Sequence, residues 1–142
     1  MGAYEKDFYA WAIEQASLLR AGKLHEIDIE NVAEEIESLG KSERRELVNR
    51  LVVLLAHLIK WEAQPERRGK SWRLAIEEQR DQVAEHLDEN PSLRAELSAF
   101  LDRAWRHALR EAARETDLDP DALPAATPWT QAQVLDDTFY PE

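Results

Sequence analysis

Leu47-Val48-Asn49-Arg50-Leu51-Val52-Val53-Leu54-Leu55-Ala56-His57-Leu58-Ile59-Lys60-Trp61 decides the fold. Winding these residues at 100° each puts Leu47, Leu51, Leu54, Leu55 and Leu58 on one side, with Val48, Val52 and Ile59 widening it. A helix that apolar has neighbours on several sides, so it belongs at the centre of a bundle. Ser42 is a candidate cap and Pro65 a stop, which predicts a central helix over about 42–64.

Working outward, Tyr4, Phe8, Trp11, Gln15 and Leu19 fall at helical spacing and predict a helix over 4–20, stopped by Gly22. Asp28 can cap a second helix whose Ile29, Val32, Ala33, Ile36 and Leu39 make a narrow stripe, ended by Gly40. Beyond the central helix, Ser71 can cap a helix over 72–89, and Asn90-Pro91 a fifth helix to about 114. Pro120, Pro124 and Pro128 then break the pattern, and Thr130-x-x-Gln133 fits a capping box for a last short helix. The expected class is therefore all-α. Four to five antiparallel helices surround the central one, with a short C-terminal helix and a wrapping tail. Residues 1–142 read as one domain, with 1–116 as body and 117–142 as a docked extension.

Composition narrows the chemistry. The formal charge is −11 over 142 residues, and cysteine is absent, which removes disulfides, thiolate catalysis and zinc–thiolate sites. An acidic domain argues against wrapping nucleic acid. No apolar run reaches the roughly 20 residues needed to span a bilayer. Met1-Gly2-Ala3-Tyr4-Glu5-Lys6 has neither a secretory leader pattern nor a myristoylation signal, so the expected location is cytoplasmic.

The charge is uneven. Residues 1–40 carry three Lys/Arg against nine Asp/Glu, and 41–80 carry ten against six. Arg67, Arg68, Lys70 and Arg73 gather between two helices, at a helix start that already favours anions, and Arg80 follows two turns later. This is the candidate anion or partner site, for an acidic protein or an anionic small molecule, with Trp72 as a stacking face. Its bland alternative is neutralisation by the chain's own carboxylates. Glu62 lies within about 20° of the Leu51–Leu55–Leu58 line, which predicts a buried carboxylate paired to a cation from 67–80, or else poised for acid–base work. Gln79 lies between Ile76 and Val83 and predicts a buried hydrogen bond. His57 falls in a seam with Glu46, Arg50, Val53 and Lys60 and reads as a solvated or interface residue.

Glu-x-x-His, His-x-x-x-His and His-Glu-x-x-His are all absent, and the histidines stand at 25, 57, 86 and 107 on different segments, so no metal and no cofactor are expected. Glu26, Glu30, Glu34 and Glu37 share a helix face, and Arg103, Arg106, Arg110 and Arg114 another. Both read as solvated faces. No Gly-x-Ser-x-Gly elbow or catalytic triad is present, so no catalytic residue can be assigned.

A resemblance extends this reading. Tyr4-Glu5-x-Asp7-Phe8-Tyr9-x-Trp11, Asp28-x-Glu30-Asn31-x-x-Glu34-Glu35-Ile36-Glu37-x-Leu39-Gly40, His57-Leu58-x-Lys60-Trp61, Gln64-Pro65-Glu66-Arg67-Arg68-x-x-Ser71-Trp72-Arg73 and Asp136-Asp137-x-Phe139-x-Pro141 follow one another. Together they resemble the bacterial domain-of-unknown-function family twenty-nine, small proteins of cyanobacteria and some proteobacteria. The resemblance runs nearly end to end. It implies an all-helical bundle from a bacterial cytoplasm, and it carries over no catalytic residue. Three functions stay open: an interaction or regulatory module using 67–80, an enzyme with Glu62 or His57 as acid/base, and a nucleic-acid-binding accessory. A homo-oligomer is compatible with each.

Overall fold

The structure is a computed structural model that describes residues 2–142. The chain is all-α: 79% helical, with no strand among the described residues. The helices are α1 (Ala3–Lys6), α2 (Phe8–Arg20), α3 (Ile29–Ala63), α4 (Lys70–Glu89), α5 (Leu97–Glu115) and α6 (Gln131–Leu135). The chain forms two compact units, Met1–Ser42 and Glu43–Glu142.

In the first unit, the helix expected over 4–20 is two. The Asp7 carboxylate accepts from the Ala10 N–H at 3.0 Å and starts α2, so α1 is a separate single turn. An acidic residue with free N–H groups three positions on competes with helix continuation. Gly22, at φ +71°, ends α2 in the left-handed region that glycine alone enters without cost. Trp11 and Gln15 are buried. Trp11 Nε1–H donates to Asp28 Oδ2 at 3.0 Å, and the Asp28 N–H donates to Gln15 Oε1 at 2.8 Å, joining α2 to the start of α3. Tyr4 stacks edge-on to Trp11 with centroids 4.6 Å apart and donates its hydroxyl proton to Glu35. The carboxylate of Glu35 pushes the Tyr4 hydroxyl up to about 12.

The largest departure from the sequence expectation is α3. Helices expected over 29–40 and 42–64 are one helix of 35 residues, running through Gly40. Glycine inside a helix costs only about 1 kcal/mol. The flanking Glu, Leu, Lys and Arg are good helix formers, and continuing a helix is easier than nucleating a second one. Ser42 therefore caps nothing.

The second unit is built on α3 as the leucine pattern requires. Leu47, Leu51, Leu54, Leu55 and Leu58 are completely buried. They share a core with Ile76, Val83 and Leu87 from α4 and with Leu101, Ala104, Trp105, Ala108 and Ala112 from α5. Gly69, and not Ser71, precedes α4, which starts at Lys70 without a side-chain cap. Pro91–Glu96 is a 3-10 stretch, so α5 begins only at Leu97. The segment after α5 closes over the core. Trp105 Nε1–H donates to the Pro124 carbonyl at 2.9 Å, Trp129 packs edge-on to Trp105 at 5.5 Å, and Val134 is buried. Thr130 and Gln133 form the expected capping box for α6. No helix among the described residues is long and apolar enough to cross a membrane.

Candidate functional site

The cations of 67–80 divide into two kinds. Arg68 and Arg80 bond to the chain's own backbone. Arg68 Nε donates to the Trp61 carbonyl at 2.6 Å and its guanidinium lies 5.4 Å from the Trp61 ring centre. Arg80 is 2% exposed. Its Nε donates to the Val134 carbonyl at 2.9 Å, its Nη2 to the Phe139 carbonyl at 2.8 Å, and it packs against Tyr140. Burial pulls the Arg80 guanidinium below its ordinary value, though arginine keeps its charge at neutral pH. Arg67, Lys70 and Arg73 face solvent. Arg73 makes only a loose 3.9 Å approach to Glu77, while Arg67 and Lys70 have no ion pair among the described residues.

Glu62 is a correction. It is exposed, and no cation from 67–80 pairs with it. In the last turns of α3 the covered side swings to Ala56, Ile59 and Lys60, so the line through Leu51, Leu55 and Leu58 runs out into water at position 62. The buried charge is Lys60 instead. It is 4% exposed and donates to Glu115 Oε2 at 2.5 Å, at the end of α5. That hydrogen bond holds the Glu115 carboxyl below its ordinary range. Trp72 lies 5.5 Å from the Lys60 ammonium, so its ring faces a cation of the chain itself. Gln79 is a second correction. It is half-buried, and its Oε1 is enclosed without the hydrogen-bond partner that the sequence predicts. His57 is half-buried, with Nδ1 2.8 Å from the Val53 carbonyl, and burial lowers its pKa.

A cluster that the spacing search missed joins two helices. Glu43 and Glu46 lie one turn apart on α3, and His86 reaches them from α4. His86 is 5% exposed. Its Nε2 sits 2.8 Å from the Glu43 carbonyl oxygen and 3.4 Å from Glu43 Oε2, and its Nδ1 sits 3.7 Å from Glu46 Oε2. Arg50 Nη2 donates to Glu46 Oε1 at 2.7 Å, and this bond holds the Glu46 carboxyl below its usual range. A cavity of about 190 Å³ opens on these groups, with Glu85 and Glu89 on its wall. Sequence motifs for metal sites look along one helix, and here the histidine and the carboxylates come from two.

Apolar exposure is concentrated elsewhere. Eight of the ten exposed large apolar side chains among the described residues lie between Phe8 and Leu39, although the first unit holds under a third of the chain. Ile29, Ile36 and Leu39, with half-buried Val32, repeat at spacings of three and four along α3, the pattern of a two-helix seam.

No curated protein and no solved structure matches the chain. A family model described as a domain of unknown function, DUF29, matches residues 3–140, and the chain belongs to that family.

Proposed function

We propose that the protein is an α-helical interaction module whose docking element is the first part of α3, and that its occupant is the same element of a second copy. The observation that carries this is the solvent-facing seam of Ile29, Val32, Ile36 and Leu39. Soluble proteins scatter exposed apolar residues, whereas a continuous stripe of them marks an interface. A two-fold axis at the seam's midpoint sets Ile29 against Leu39 and Val32 against Ile36 of the second copy, so the stripe covers itself when the two helices run antiparallel. Gly40 has no atom within 4 Å of where a Cβ would stand, so a partner helix can approach closely there. Light scattering on the eluting protein should give twice the 16.4 kDa chain mass at tens of micromolar. Ile36→Glu/Leu39→Glu should give a monomer with unchanged helicity. A wild type that stays monomeric at that concentration, or a variant that stays dimeric, defeats the proposal.

A second contact is supported by Arg67 and Lys70, which have no ion pair among the described residues and lie beside the uncapped N-terminus of α4. In this reading they bind phosphate, sulfate or a partner carboxylate, as the bacterial and cytoplasmic setting implied by the family resemblance would allow. Phosphate or sulfate should raise Tm relative to chloride at matched ionic strength, and Arg67→Ala/Lys70→Ala should remove the difference. The effect should fade with added salt, because exposed charges are screened over about 8 Å at physiological ionic strength. Equal anion responses in the two proteins remove the site.

A further inference from the structure

We propose that Glu43, Glu46 and His86 form a binding site for a divalent transition-metal ion of the zinc class. One ligand atom from each residue lies within 4.8 Å of the other two. Bonds of about 2.0–2.1 Å in a tetrahedral site set ligand atoms roughly 3.3 Å apart; His86 Nδ1 stands 3.7 Å from Glu46 Oε2, near that value, whereas Glu43 Oε2 lies 3.4 Å from the other ring nitrogen and has to swing across to join the same ion. The two glutamate side chains are about half exposed and can close the remaining distance by rotating.

The imidazole is oriented as a ligand. Its Nε2–H is directed at the Glu43 carbonyl, which leaves Nδ1 as the lone-pair nitrogen. A backbone carbonyl in this role fixes the tautomer and raises the basicity of the other nitrogen, as at established histidine–metal sites. The His86 side chain is 5% exposed, and its Nδ1 makes no hydrogen bond among the described residues; it faces Glu46 Oε2 across 3.7 Å. A lone pair facing a carboxylate oxygen is a repulsive arrangement unless a cation lies between them. Two cations satisfy it: a metal ion, or a proton that turns His86 into an imidazolium clasp. The rest of the cavity favours the ion. Glu43, Glu46, Glu85 and Glu89 surround it against the single guanidinium of Arg50, which already holds Glu46 Oε1 and leaves Oε2 free to turn inward. One nitrogen and two carboxylate oxygens suit zinc, cobalt or nickel better than magnesium, which prefers oxygen alone.

The test is calorimetric titration of the full chain, stripped with chelator, with zinc chloride and separately with magnesium chloride at pH 7. The expected result is one saturable zinc per chain and at least 100-fold weaker magnesium binding. His86→Gln and Glu43→Gln should each weaken zinc at least tenfold. Cobalt loaded into the wild type should give a visible spectrum with a nitrogen ligand, absent in His86→Gln. Glu43→Gln changes a half-exposed side chain, so it serves if His86→Gln fails to fold. Absence of saturable zinc binding, or equal binding by wild type and Glu43→Gln, overturns the proposal and leaves His86 as a structural residue bonded to the Glu43 carbonyl.

Discussion

Arg80→Ala is expected to lower the stability of the second unit by about 3–4 kcal/mol. Two carbonyls, from Val134 and Phe139, lose the donor that satisfies them. Each hydrogen bond to a charged group contributes about 1.5–3 kcal/mol, and an unsatisfied buried acceptor costs about 1–3. The segment can partly recover by opening to water, which keeps the total below the sum. Arg80→Lys should rescue little, because one ammonium cannot reproduce a planar fork aimed at two oxygens. Tm should fall by roughly 10 °C. Limited proteolysis should cut between residues 116 and 128 in the variant before any cut in α3. If Arg80→Ala melts within 2 °C of wild type, the guanidinium does not hold the segment.

The second large effect is an asymmetry at Lys60 and Glu115. Removing one partner of a buried pair costs about 3–5 kcal/mol. Here only the lysine is buried, since half of the Glu115 side chain is exposed. Glu115→Ala strands the enclosed ammonium and should cost about 2 kcal/mol, the smaller value reflecting solvent access to the pair. Lys60→Met leaves a carboxylate that returns to water and an apolar chain in a dry place, so it should cost under about 1 kcal/mol. The pH dependence has a definite sign. The Glu115 carboxyl is lowered in the folded protein. Its contribution is therefore present above the ordinary glutamate value of about 4.3 and disappears as pH falls through the lower, folded value. The stability gap between wild type and Glu115→Ala should be constant from pH 6 to 8 and close below about pH 4. Equal costs for the two single variants would show that the pair acts otherwise. Chemical denaturation across pH measures all of it.

Most of the architecture was legible because its signals are local. The leucine run required a central helix, and the α6 capping box needs only Thr130 and Gln133. What misled was also local. Gly40 looks like a stop, but a glycine stops a helix only where the chain gains by turning, and here nothing turns it. Glu62 was placed by an ideal wheel, yet burial in the last turns depends on which neighbours reach them. The basic loop shows a further boundary. Arg68 and Arg80 are matched by carbonyl oxygens, which every residue carries, so a search for acidic partners could not find theirs. The Glu43–Glu46–His86 cluster was hidden because its histidine crosses from α4, and no spacing within one helix encodes that crossing.

The Arg80–Phe139 contact joins residues 59 positions apart, and it sets an order of events during synthesis. Until residues 134 and 139 are in place Arg80 lacks both of its carbonyl acceptors, and until residue 124 is in place the Trp105 indole lacks its own. The nascent bundle therefore carries an uncovered indole until residues 124–129 emerge, and an incompletely bonded guanidinium until residue 139 does. A chain clipped before that point would present a ready hold for chaperones and proteases, so residues 134–139 act as a check that the bundle before them is complete.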